Sequence, residues 1–421
     1  MQTRIGLLRG ALAVAAALWW LGAPVAAQAP AAAKIQELAR EVERITGLPQ
    51  KRAVPVETLT RAQWKQFVER EMDRQVKPEE IRADEKVLKL LGLIPRDFDL
   101  KQATIDLFAE QAAAVYDHRR KKMLLLDDGQ AGGLEEAVLV HELSHALADQ
   151  HYSMEKFLDK GAKTGEQQAA RLAVVEGQAM WVMLEWQLGR MGMGSLMENR
   201  GALEKMLPAL GTMAAASYPV FGRTPLYLQE TLLFPYTAGV LFQQAAVEKL
   251  GKRAFREVLE RPPATTREIY HAEEWIEKRR YEAPPAPGMG KDAEYRRVSK
   301  GVLGEFDVRV LLKQYCGQEE ADKLAAEWRG GSYELLEHKA AGRPAVRWTL
   351  ALRDARAAAE FVERYRRVLE GKSEGLRWKD AGRTRLEGEN GDGEFWVEAR
   401  GSVVEAVEGL QPAGGKARPA I

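Results

Sequence analysis

Leu134-Glu-Glu-Ala-Val-Leu-Val-His-Glu-Leu-Ser-His-Ala-Leu-Ala148 decides how the rest of this chain is read, because it holds His141-Glu142-Leu143-Ser144-His145 inside an apolar, helix-forming run. On a helix, two histidines four apart lie one turn from each other on a single face. Imidazoles presented that way can grip one Zn²⁺ at about 2.0–2.1 Å. Glu142 follows the first histidine and is angled toward the open coordination position, where a carboxylate can take a proton from a water attacking a carbonyl. The chain has six histidines, and spending two of them here argues against two ordinary core residues. Val138, Leu139, Val140, Leu143 and Leu147 already supply an apolar face, and His-Glu-His is a poor way to extend one.

A catalytic zinc needs a third protein ligand. Glu176, in Val174-Val175-Glu176-Gly177, lies on a separate expected helix, and Gly177 would let that helix come close to the first. The rival is His151, six residues after His145. That arrangement needs a sharp turn with a glycine at position 148, which is Ala148 here. Glu176 is the better candidate. Asp149, one turn past His145, is a candidate for orienting an imidazole. Glu135 and Glu136 suit the positive end of the helix dipole.

Working outward, Leu107–Tyr116, the polar turn Asp117-His-Arg-Arg-Lys-Lys122 and Met123–Leu126 predict a β-hairpin just before the metal helix, with His118 as a turn residue. A strand in that place suits a peptidase, because an edge strand can hold an extended peptide. Further upstream, Ala33–Ile45 has helical spacing, Arg52–Leu59 reads as an edge strand interrupted by Pro55, and Thr60-Arg-Ala-Gln63 is a capping box. Gly165–Arg190 is helical. Seven of the twelve methionines fall between Met180 and Met213, a composition that suits adaptable core packing or a substrate-facing wall. Downstream, Ser332–His338 with Ala345–Leu352, a helix over Ala355–Leu369, and Gly382–Leu386 with Glu394–Arg400 predict a small α+β unit in which His338 is structural.

The ends and the composition bound the setting. Residues 1–29 have the pattern of a cleaved secretory signal: Arg4 and Arg9, an apolar Gly10–Leu21 run, and small residues at Val25–Ala29. A periplasmic or secreted protein is expected. Cys316 is the one cysteine, so no intrachain disulfide can form. Sixty-two basic residues nearly cancel sixty-one acidic ones, which gives no footprint for nucleic acid. No later segment reads as membrane-spanning.

With its His-Glu-x-x-His helix followed by a Glu-Gly pair, the chain resembles the gluzincin class of zinc metallopeptidases. More closely, it is similar to a family of exported bacterial proteins across roughly residues 50 to 340. The likeness rests on Val115-Tyr-Asp117, His141 to His151, Val175-Glu-Gly177, Phe234-Pro-Tyr-Thr-Ala-Gly239 and Pro262-Pro-Ala-Thr-Thr-Arg-Glu-Ile-Tyr-His271. The resemblance implies an α+β fold: a helix-rich, zincin-like core with a small sheet and a C-terminal α+β subdomain. The expected divisions are a signal (1–29), an N-terminal helical region (30–105), a catalytic domain (106–300), the C-terminal unit (301–408) and a tail (409–421). In this reading His141, His145 and Glu176 hold Zn²⁺, Glu142 is the base, and the substrate is a protein or peptide. A tetrahedral oxyanion needs a donor beside the metal. Tyr236, expected in a turn opening a helix, and His271, after the Pro-Pro loop, are the candidates. The alternative is a non-catalytic periplasmic binding or assembly protein built around a structural zinc, with the C-terminal unit made for contacts.

Overall fold

The computed structural model describes residues 32–75, 77–110, 114–127 and 136–412. The expected signal and the residues from 413 onward lie outside them, as do Leu134 and Glu135. The first helix, α1 (Ala32–Thr46), buries Ile35, Leu38, Ala39, Val42 and Ile45 along one stripe. It is followed by β1 (Val56–Thr60), α2 (Arg61–Gln75), α3 (Pro78–Leu91), α4 (Leu100–Glu110), β2 (Ala114–Asp117) and β3 (Lys122–Asp127). The capping box at the start of α2 forms in both directions, Gln63 N donating to Thr60 Oγ1 at 3.3 Å and Thr60 N to Gln63 Oε1 at 2.8 Å.

The hairpin is present, but its first arm is shorter than expected. Residues 107–110 end α4, because Leu100, Thr104, Leu107 and Phe108 are buried at helical spacing and the stretch lacks β-branched residues. In the resulting three-stranded sheet, ordered β1-β3-β2, β1 runs parallel to β3 and β2 antiparallel to it. Both β1 and β2 are therefore edges.

The metal helix is α5 (Glu136–Tyr152), which continues straight through Ala148. After a π-helical turn at Glu155–Lys160 come α6 (Gly165–Arg190), α7 (Arg200–Ser217), α8 (Pro219–Arg223), α9 (Leu226–Leu250), α10 (Ala254–Glu260), α11 (Thr266–Tyr270) and α12 (Ala272–Ile276). Of these, α6 is buried almost all round, as expected of a central helix. Its closest neighbour at Gly177 is α9 rather than the expected α5. A Cβ on Gly177 would stand 2.2 Å from the carbonyl of Gly239, and one on Gly239 would stand 2.3 Å from the carbonyl of Ala173. Phe234–Gly239 is thus mid-helix, with Pro235 inside α9, and not a turn opening a helix.

The remaining elements are β4 (Tyr295–Val302), α13 (Glu305–Cys316), α14 (Gln318–Ala325), β5 (Trp328–His338), β6 (Pro344–Leu352), α15 (Ala355–Lys372), β7 (Arg377–Ala381), β8 (Arg385–Asn390), β9 (Gly393–Arg400) and β10 (Val403–Leu410). The strands form one antiparallel sheet, ordered β4-β5-β6-β10-β9-β8-β7, on which α15 lays its apolar stripe of Ala358, Phe361, Val362, Tyr365 and Leu369. The protein is therefore mixed α+β, with a small sheet and a large antiparallel one. The expected boundary at 301 falls inside β4, that at 105 inside α4, and the expected tail begins inside β10. A continuous apolar core runs from Ile35 to Ala406.

The glycine contact can be tested by chemical denaturation. Gly177→Ala should destabilise the protein by about 1–3 kcal/mol or more, since backbone atoms must part to admit the methyl group. On the same helix a Cβ added at Gly189 would meet nothing within 4 Å, so Gly189→Ala should be neutral or stabilising by about 0.5–1 kcal/mol.

Candidate metal centre

Three side chains from two helices converge. His141 and His145 project from α5 and Glu176 from α6, and a ligating atom of each lies within 4.8 Å of the other two. The two Nε2 atoms are 3.1 Å apart. Glu176 Oε2 is 3.2 Å from His141 Nε2 and 3.4 Å from His145 Nε2. Ligands held tetrahedrally at about 2.0–2.1 Å stand about 3.3–3.4 Å from one another. These three atoms already have that spacing, so the set fits a small divalent cation. Two imidazoles with one carboxylate suit zinc and its transition-metal neighbours more than calcium or magnesium.

Burial and charge act differently on the two carboxylates. For Glu176, burial would raise the pKa, but the two imidazoles outweigh it and hold the carboxylate at about 2. Glu142 is pushed up by burial, which the imidazoles oppose without cancelling. For His145, burial favours the neutral ring, yet the Glu176 charge and hydrogen bond leave its pKa raised. Tyr236 donates its hydroxyl to Glu176 Oε2 at 3.0 Å and lies stacked near His141, with ring centroids 6.3 Å apart. Burial and the Glu176 charge keep this phenol protonated, well above its ordinary range. Tyr236 is thus placed to orient the Glu176 carboxylate.

The β2 edge faces this group. Tyr116 donates its backbone N–H to Glu142 Oε2. The cavity beside Glu142, His145 and Glu176 measures about 20 Å³, room for a water. Its walls include Val115, Tyr116, Met154 and His118. No methionine of the Met180–Met213 stretch lines it; Met191 and Met193 instead stand exposed beyond α6.

The other sequence candidates lie elsewhere. His151 Nε2 is 2.8 Å from the Pro49 carbonyl, so the three-histidine arrangement does not form. Asp149 touches no imidazole. Its carboxylate accepts from Tyr116 Oη at 2.8 Å, from Lys121 Nζ at 2.7 Å and from Met154 N at 2.7 Å, tying the hairpin to the end of α5. His271 sits between α11 and α12 with Nε2 3.1 Å from Glu305 Oε1, in a cluster with Arg267, Glu274 and Arg309, and does not line the cavity beside Glu142. His338 lies 3.5 Å from Glu294 and edge-on to Tyr295. His118, read from sequence as a turn residue, is 6% exposed and lines the cavity. No local pattern marks it, because the turn that carries it is placed by contacts with distant residues.

Residues 293–417 match a family described as a domain of unknown function (DUF8575). That stretch holds the large sheet and leaves out the metal centre. No curated protein and no solved structure matches the chain.

Tyr236→Phe tests the orienting role. Removing the donor to a ligating carboxylate should weaken zinc binding about 10–100-fold, measured by competition with a chromophoric chelator. Unchanged zinc affinity with a large fall in turnover would return Tyr236 to the oxyanion role.

Proposed function

We propose that this chain is an exported zinc metallopeptidase with a zincin-like core. The observation that carries the reading is Glu142, a buried carboxylate with a raised pKa standing next to a three-ligand set already at tetrahedral spacing. When bound, Zn²⁺ would polarise a carbonyl and acidify a water. The chain's own residues do the rest. His141, His145 and Glu176 hold the metal, and Tyr236 fixes the carboxylate. Glu142 accepts the proton of the attacking water and passes it to the leaving amine. The antiparallel edge strand β2, lying alongside α5, supports a zincin-like arrangement in which an extended protein or peptide substrate adds to that edge. The basic and apolar pattern of residues 1–29 supports a periplasmic or secreted location. Among the described residues no helix is long and apolar enough to cross a membrane. The near-balance of charge argues against a nucleic-acid partner.

The second reading, a non-catalytic assembly protein with a structural zinc, draws on the small size of the 20 Å³ cavity. Structural zinc sites take four protein ligands, whereas the described residues bring together three. That difference, with a base poised beside them, favours the enzyme.

The deciding measurement is peptide-bond cleavage of an unfolded protein mixture by the zinc-loaded mature chain. Glu142→Gln should retain stoichiometric zinc and lose turnover, and turnover that survives would end the assignment of Glu142 as base. Glu176→Ala should lose zinc while His151→Ala keeps it, read by metal analysis after dialysis. The reverse result would move the third ligand to His151.

A further inference from the structure

We propose that Lys372 and Glu408 condense into an intramolecular isopeptide bond that joins the end of α15 to β10, a covalent tie independent of the metal centre. Their side chains are each 4% exposed, and Lys372 Nζ stands 2.6 Å from Glu408 Oε2. The next most buried lysine in an ion pair among the described residues, Lys89, is 25% exposed. Lys372 is therefore the lysine whose nitrogen meets a carboxylate with little competing water. A buried pair of this kind adds little net stability as an ion pair. An amine and a carboxyl group held in productive contact, by contrast, react as if at about 10⁵–10⁸ M.

The surrounding groups treat the two carboxylate oxygens differently. Oε1 accepts from Tyr365 Oη at 2.5 Å and from Trp348 Nε1 at 3.1 Å, two donors placed to stabilise the charge that develops on that oxygen as nitrogen adds. Tyr365 and Trp348 are both buried, and burial with the Glu408 charge keeps the Tyr365 phenol protonated and able to donate. Oε2 faces the nitrogen, which is itself held by the Leu90 carbonyl at 2.7 Å and by Tyr365 Oη at 3.3 Å. In the step, the nitrogen lone pair forms a bond to Cδ of Glu408, the Cδ–Oε2 bond breaks, and the two protons lost by the ammonium leave on Oε2 as water. No oxidant, reductant or cofactor takes part. The amide oxygen retains Tyr365 and Trp348 as donors, and the one remaining N–H retains Leu90 as its acceptor. With Cys316 as its single cysteine, the chain has no intrachain disulfide. A bond between residues 372 and 408 would restrain the unfolded chain in the way a disulfide does.

The test is the intact mass of the full chain, folded and then denatured, with its N-terminus established by peptide sequencing. Wild type should be lighter than its sequence by one water. Digestion should release a branched peptide joining the segments that hold Lys372 and Glu408. Chain recovered unfolded from inclusion bodies should keep full mass in denaturant and lose the water only on refolding, because the reaction needs the folded contact. Lys372→Met and Glu408→Met should keep full mass. Tyr365→Phe, which removes one donor to Oε1, should link about 10²-fold or more slowly, read as linked fraction against time after refolding. Folded wild type still at full mass after prolonged incubation overturns the proposal and leaves the two residues an ion pair. A water lost at another place, such as Asp128-Gly129, or a water still lost in Lys372→Met, overturns it equally. The wild-type mass and the branched peptide decide the matter even where a variant fails to fold.

Discussion

The contact between Gly177 and Gly239 is the constraint on which the centre depends. Two helices can bring backbone against backbone only where neither has a side chain, and α6 and α9 do so at this point. Glu176 immediately precedes one glycine, and Tyr236 lies one helical turn before the other. The crossing therefore sets the phenol against the carboxylate at 3.0 Å. Because α6 is surrounded by packed apolar residues on nearly every face, Glu176 is almost wholly buried. A carboxylate in that position must be compensated where it lies. Two imidazoles and a phenol do so, and a bound cation would complete the balance.

That balance separates two acids sharing one cavity. The imidazoles hold Glu176 ionised, the state a metal ligand needs, while burial pushes Glu142 toward proton uptake, as the proposed base would require. Environments that drive two carboxylates apart in this way are how one site divides the roles of acid and base. The hairpin takes part, since the Tyr116 N–H that meets Glu142 comes from the strand edge proposed to hold substrate. On the proposed reading, an incoming peptide and Glu142 would compete for one backbone donor. Asp149, gripping Tyr116 and Lys121 together, sets how firmly the strand is seated.

What could be read from sequence was whatever has a local signature. The His-Glu-x-x-His spacing, the capping box at Thr60, the stripe in Ala355–Lys372 and the pairing of β8 with β9 each follow from residues within a few positions of one another. Glu176 was legible because its glycine neighbour implied a close approach, although the partner turned out to be α9. Pro235 misled. A proline normally ends a helix at a cost of about 3 kcal/mol, but the burial of Phe234, Tyr236 and Val240 within α9 outweighs it. The roles of His118, Asp149 and His271 were not legible, because each is defined by partners brought in by the fold: Asp159, the hairpin and Glu305. The last strand was hidden in another way. Glu405 and Glu408 make β10 look like a polar end, yet Glu408 is buried against Trp348, Tyr365 and Lys372.

Those same buried charges bear on the C-terminal sheet, whose sequence suggested an appendage. Lys372 Nζ bonds Glu408 at 2.6 Å and also the Leu90 carbonyl at 2.7 Å, so one ammonium ties α15 and β10 to the end of α3. At the start of α6, Glu166 accepts from Thr266 N at 2.5 Å and Thr266 Oγ1 at 2.7 Å, and Thr266 Oγ1 in turn accepts from Phe306 N in α13 at 3.1 Å. Gly304 lies so close to the Glu166 carboxylate that any side chain there would collide with it. The helix carrying Glu176 is thus fixed at its N-terminus by α11 and the entry to α13, and near its middle by α9. Buried polar ties of this kind add little net stability, because desolvation offsets much of their attraction. What they contribute is register: a slip of α6 by one residue would leave Glu166 uncompensated and carry Glu176 off the two histidines together. The C-terminal part, whatever else it contacts, therefore helps set where Glu176 stands.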